Sequence, residues 1–89
     1  MLEVLYSNQF KRDFKKIKKL AFEDIKIVFD VISKLENEKM LEQKFKDHEL
    51  TGDYIGYREC HLKPDLLLIY KIRENELILT RIGSHSELF

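Results

Sequence analysis

Three histidines, His48, His61 and His85, are the only imidazoles in the chain, and each has a carboxylate close by in sequence. Asp65 and Arg81 lie in the same half of the chain. Histidine, arginine and glutamate are poor core material, whereas imidazole changes its charge near neutral pH. Such a gathering on strands and loops points to acid–base chemistry. One reaction it suits is cleavage of RNA through the ribose 2′-hydroxyl. A base must take the hydroxyl proton, a cation must stabilise the crowded phosphate, and an acid must protonate the departing 5′-oxygen. His48, His61, His85, Glu59 and Asp65 are candidates for the proton transfers, and Arg81 offers a planar fork suited to a phosphate.

The pattern of apolar residues says which elements must hold these side chains. Leu2 to Tyr6 reads as a strand, and Ser7 is placed to cap a helix. Phe10, Phe14, Ile17 and Ala21 then recur at helical spacing. Glu23 and Asp24 suit the first turn of a second helix, whose stripe runs Ile25, Val28, Phe29, Ile32, Leu35 and stops near Asn37. So short a connection predicts an antiparallel helical pair. Residues 38–56 carry no long period and read as loop. Three strands follow: Tyr57 to Leu62, Leu66 to Ile72 (apolar on both faces, hence central) and Glu76 to Gly83, joined by hairpin-sized links. The order is β-α-α-β-β-β. It predicts an α+β fold, an antiparallel sheet with a helical hairpin packed on one face, in a single domain spanning residues 1–89.

Strand alternation sorts the candidates further. Tyr57, Glu59 and His61 share one face and Arg58, Cys60 and Leu62 the other; on the last strand Leu77, Leu79 and Arg81 share a face. Glu59 and His61 should look across the central strand to Arg81, about two strand spacings or ~10 Å away. Cys60, although next to His61, is expected in the core.

Composition bounds the setting. Sixteen basic and sixteen acidic residues give zero net charge, so the whole body is not that of a strongly basic nucleic-acid binder. The sum hides a basic run, Lys11, Arg12, Lys15, Lys16, Lys18 and Lys19, interrupted by Asp13 alone. It reads as a solvated helix face, with Lys15, Lys16 and Lys19 as candidate RNA contacts. One cysteine excludes an internal disulfide and favours a reducing compartment. No apolar run approaches the ~18–20 residues of a membrane span, so a cytoplasmic protein is expected, away from any membrane.

Three blocks carry a likeness to a known group: Lys46-Asp-His-Glu-Leu50, Tyr57 through Tyr70, and Arg81-Ile-Gly-Ser-His-Ser-Glu-Leu-Phe89. In order and spacing the chain resembles the YafQ-like branch of the RelE/ParE toxin superfamily over nearly its whole length. The resemblance implies the toxin of a type II toxin–antitoxin pair. Such a toxin is an endoribonuclease that cuts mRNA, often in the ribosomal A site, by 2′-hydroxyl attack and without a metal or other cofactor. It implies catalytic roles for His48, His61, His85 and Asp65, a part for the closing Phe89, and a cognate antitoxin as partner. Relatives usually carry aspartate where this chain has Glu59, one methylene longer, and tend to be more basic.

Arg81 is expected to clamp the scissile phosphate and His85 to act as general acid, with His48, His61 and Asp65 supplying and orienting the base. Phe89 is expected to pack beside the site or stack on a nucleobase. Two other classes fit the same superfamily: a ParE-like toxin that binds DNA gyrase and cleaves nothing, and a non-catalytic RNA-binding module. A zinc site built from His48, His61 and His85 is disfavoured, because no pair has close ligand spacing.

Overall fold

The computed structural model describes every residue except Lys18, so that member of the basic run lies outside the described residues. In chain order the elements are β1 (Glu3–Tyr6), α1 (Asn8–Ile17), α2 (Phe22–Glu36), β2 (His48–Glu49), β3 (Arg58–Lys63), β4 (Leu66–Arg73), β5 (Glu76–Gly83) and α3 (His85–Leu88). Single 3₁₀ turns at Gln43–Phe45 and Gly52–Tyr54 punctuate the long connection.

Ser7 starts α1 as its sequence position predicts: its hydroxyl oxygen accepts from Phe10 N–H at 2.9 Å and donates to the Thr80 carbonyl at 2.7 Å. The cap thus ties the helix start to β5. Phe10 and Ile17 are buried beneath α1, but Ala21 falls outside the helix and precedes α2. Phe14 and Phe29 meet edge-on at 5.9 Å, joining the two helices.

The sheet order is β1-β5-β4-β3-β2, with β4 central as its two apolar faces require. The neighbouring pairs β2/β3, β3/β4 and β4/β5 are antiparallel, whereas β1 runs parallel to β5. The sheet is therefore mixed, not antiparallel throughout. The helical crossover between β1 and the meander returns the chain in the same direction as β1, which is what a parallel neighbour needs.

One sheet face, through Cys60, Leu62, Leu68, Tyr70, Leu77, Leu79 and Ile82, packs on Phe10, Ile17, Val28, Val31, Ile32 and Leu35 of the helices. Each such side chain contributes roughly 1.5–3 kcal/mol when fully buried. The opposite face carries a smaller cluster of Leu67, Ile69 and Leu88 against Leu50, Tyr54 and Tyr57. Helices α1 and α2 cover the first face, while α3 and the 50–57 segment approach the second, which is where the histidines lie.

Candidate active site

Pairing in the sheet assembles the site. His48 stands opposite Glu59 across β2 and β3, Glu59 opposite Ile69, and His61 opposite Leu67. Period two therefore keeps Glu59 and His61 on the face away from the helices, as expected from sequence. Leu67 in turn faces Gly83, and α3 begins two residues later with His85. Gly83 leaves little room at that sharp transition. A methyl there would sit 3.1 Å from Glu87 Oε1, the oxygen that accepts from Ser84 N–H in the capping box of α3.

The three rings form a row: His48 to His61 is 6.0 Å between centroids and His61 to His85 is 5.7 Å. Each end of the row has its own carboxylate. Glu59, only 5% exposed, lies with Oε1 3.2 Å from His61 Nε2 and 3.5 Å from His48 Nε2. Asp65, in the β3–β4 turn, accepts from His85 N–H at 2.9 Å and meets His85 Nδ1 at 2.8 Å. Those two contacts hold the Asp65 carboxyl below the ordinary value, so it remains an anion next to the ring. Asp65 thus pairs with His85, whereas its place in sequence groups it with His48 and His61. One Glu59 oxygen thus stands near two imidazoles.

Tautomers follow from the partners. His48 Nδ1 is 2.6 Å from the Lys46 carbonyl, which only accepts, so Nδ1 carries a proton and a neutral ring keeps its lone pair on Nε2. That nitrogen faces Glu59, ready to stabilise a ring that gains a second proton.

Arg81 stands opposite Ile69, in line with Glu59 across the sheet. This agrees with the expected geometry but not with the expected strand face. Leu77 and Leu79 point into the core, and a register shift between Ile69 and Tyr70 lets β5 turn Arg81 to the other side. Such a bulge re-aims one side chain without breaking the strand. Arg81 is also already paired: its Nε and Nη2 donate to Asp13 at 2.8 and 3.2 Å. Asp13, 4% exposed, accepts in addition from Gln9 and from Ile82 N–H. Burial works to raise the Asp13 pKa, but the bonds from Arg81, Gln9 and Ile82 outweigh it and leave it lowered. In sequence Asp13 shows only as a gap in a basic run. Its position between Phe10, Phe14 and Ile17, on the inner side of α1, was the available signal.

Phe89 is 61% exposed and sits edge-on to Tyr54 at 5.7 Å, with Tyr54 edge-on to Tyr57 at 6.0 Å. These rings form an aromatic wall beside Arg81. Of the lysines singled out, Lys16 lines a cleft of about 370 Å³ with Lys63, Asp65 and Ser84. Lys15 instead lines a separate groove with Tyr6, Phe10, Phe14 and Phe29, and Lys19 is exposed on the connection to α2. Cys60 is fully buried on the helix side, and burial pushes its thiol pKa up strongly. Alkylation of Cys60 in the folded protein should therefore proceed only as fast as the fold opens; rapid reaction under native conditions would contradict this placement.

A metal ion would find donors here, though not the three histidines considered from sequence. Among the described residues, His48, Glu59 and His61 bring one donor atom each within 4.8 Å of one another. Two imidazoles and a carboxylate suit zinc or copper.

A mixed sheet backed on one face by two helices, with an imidazole–carboxylate row on the other, defines a small α+β protein equipped for proton transfer. The family model described as a bacterial toxin of type II toxin–antitoxin system, YafQ, matches residues 2–89, and the chain belongs to that family. It is 34% identical over 87 residues to the mRNA interferase toxin YafQ of Escherichia coli K12, covering 98% of this chain and 95% of that one. A metal-bound toxin from Helicobacter pylori shares 49% identity at a TM-score of 0.91, with both chains fully covered. The toxin in the E. coli DinJ–YafQ complex shares 34% identity at a TM-score of 0.88, covering 100% of this chain and 99% of that one.

Proposed function

We propose that this chain is the toxin of a type II toxin–antitoxin pair, an endoribonuclease that cuts mRNA by 2′-hydroxyl attack. The observation that carries the reading is the row of three imidazoles with a carboxylate at each end, on the sheet face opposite the helices. His48 Nε2 takes the 2′-hydroxyl proton, and Glu59 stabilises the charged ring that results. The 2′-oxygen bonds to phosphorus as the bond to the 5′-oxygen breaks, and His85, held by Asp65, returns a proton to that oxygen. His61, fixed on Glu59, lies between the two and faces the phosphate. Arg81, its charge offset by Asp13, adds a hydrogen-bond donor from across the sheet, and Phe89 offers a face for a base. Two proton-transfer groups of this kind contribute roughly 10²–10⁴-fold each.

The products are a 2′,3′-cyclic phosphate and a 5′-hydroxyl. End analysis of a cleaved RNA tests this directly: 3′-hydroxyl ends, or intact RNA alongside inhibited gyrase, would overturn it. A metal at His48, Glu59 and His61 would supply a Lewis acid there, but it would occupy nitrogen that the base step uses. Chelators should therefore leave the rate unchanged, while added copper should slow cleavage. Loss of activity on chelation would contradict the assignment. The setting that goes with this activity is messenger RNA in the cytoplasm, presented on the ribosome, and a cognate antitoxin such as DinJ is for the E. coli relative. No described helix is long and apolar enough to cross a membrane.

A further inference from the structure

His48 occupies a two-residue strand whose residues are both exposed, after a connection that is mostly irregular. Lys46, whose carbonyl sets the His48 tautomer, has a φ of +49°, a left-handed conformation that is costly for a lysine. Two ladder pairs alone are weak support for a ring that must meet a substrate to within an ångström. Something else must hold it.

The neighbours of His48 supply that hold from the other face of the sheet. Asp47 accepts from the hydroxyl of Tyr70, a residue 1% exposed on β4, at 2.6 Å. Arg58 Nε donates to the same Asp47 oxygen at 3.3 Å, and its Nη1 lies 3.6 Å from Glu49 Oε1. One guanidinium thus bridges both carboxylates that flank His48 in sequence. Strand alternation puts Asp47 and Glu49 on one face and His48 on the other, so gripping the first pair presents the third side chain to Glu59. Arg58 and Tyr70 are themselves paired across β3 and β4, which anchors the arrangement in the most buried strand.

We propose that Asp47, Arg58 and Tyr70 form a clamp that positions His48 for proton abstraction. The three are positioning residues, and this rests on the reading of His48 as the base. Burial raises the Tyr70 pKa, so its hydroxyl stays a donor, and a short O–H···O⁻ bond is the strong kind. Removing that hydroxyl takes away its contacts with Asp47 and Arg58 and leaves the aromatic packing in place.

The test compares wild type, Tyr70→Phe, His48→Ala and the double variant on one RNA oligonucleotide. Tyr70→Phe should lower kcat by about 10- to 100-fold with KM little changed, the scale of an ångström-sized misplacement. In the His48→Ala background the same substitution should cost almost nothing further, because its effect runs through that ring. The His48 Nδ1–H resonance, ordered by the Lys46 carbonyl in wild type, should broaden or vanish in Tyr70→Phe. Equal losses in both backgrounds, or an unmoved resonance, would overturn the clamp. If His48→Ala itself cleaves at the wild-type rate, the fault lies with the assignment of the base, and the unmoved or lost resonance still decides the clamp.

Discussion

Replacing His85 with alanine should lower the rate constant for RNA cleavage by about 10²–10⁴ while the protein stays folded. The ring is half-exposed, belongs to neither hydrophobic cluster, and touches Asp65 and the edge of His61. Alanine is at home in a helix, and exposed substitutions of this kind usually change stability by within about 0.5 kcal/mol. Lost activity would therefore report lost proton donation rather than unfolding. Asp65→Asn should give a smaller fall, since it keeps an acceptor for the His85 backbone N–H but loses the charge next to the ring. Cleavage by His85→Ala at the wild-type rate, at equal folded concentration, would remove His85 from the mechanism.

Asp13→Ala should have the largest effect on stability. It strips a buried carboxylate from Arg81, Gln9 and Ile82 N–H at once and leaves a guanidinium without its partner. Breaking one side of a buried pair costs about 3–5 kcal/mol, a large share of the ~5–15 kcal/mol that holds a domain together. For a chain of this size each kcal/mol lowers Tm by roughly 4–8 °C. The pH dependence has a definite sign. The folded pKa of Asp13 is lowered, so its contribution is fully present above the unfolded carboxylate value, near ~3.9, and is lost as pH falls through the folded value. Wild type should lose stability across that acid range more steeply than Asp13→Ala. Matching thermal denaturation curves for the two proteins at neutral pH would contradict this account.

Much of this architecture is legible in the chain. The stripe Val28, Ile32, Leu35 and the doubly apolar β4 fix the helix face and the central strand, because burial and periodicity speak together there. The shared face of Glu59 and His61 follows from alternation along β3, and the addition of His48 and His85 follows from the resemblance to known toxins. Other features have no local signature. The parallel partnership of β1 with β5 is set by how the helices cross, and two residues of β2 are too few to show a period. The turn of Arg81 away from Leu77 and Leu79 depends on a bulge, which alternation by itself reads as continuous strand. Asp47 and Tyr70 are twenty-three positions apart, so only the folded sheet makes their bond visible.

The central claim is that His48 and His85 act as base and acid on one phosphate, and the pH dependence of kcat/KM for a single RNA oligonucleotide tests it most directly. Wild type should give a bell, His48→Ala should lose the acidic limb, and His85→Ala should lose the alkaline limb. A bell with both limbs intact in either variant would contradict the account.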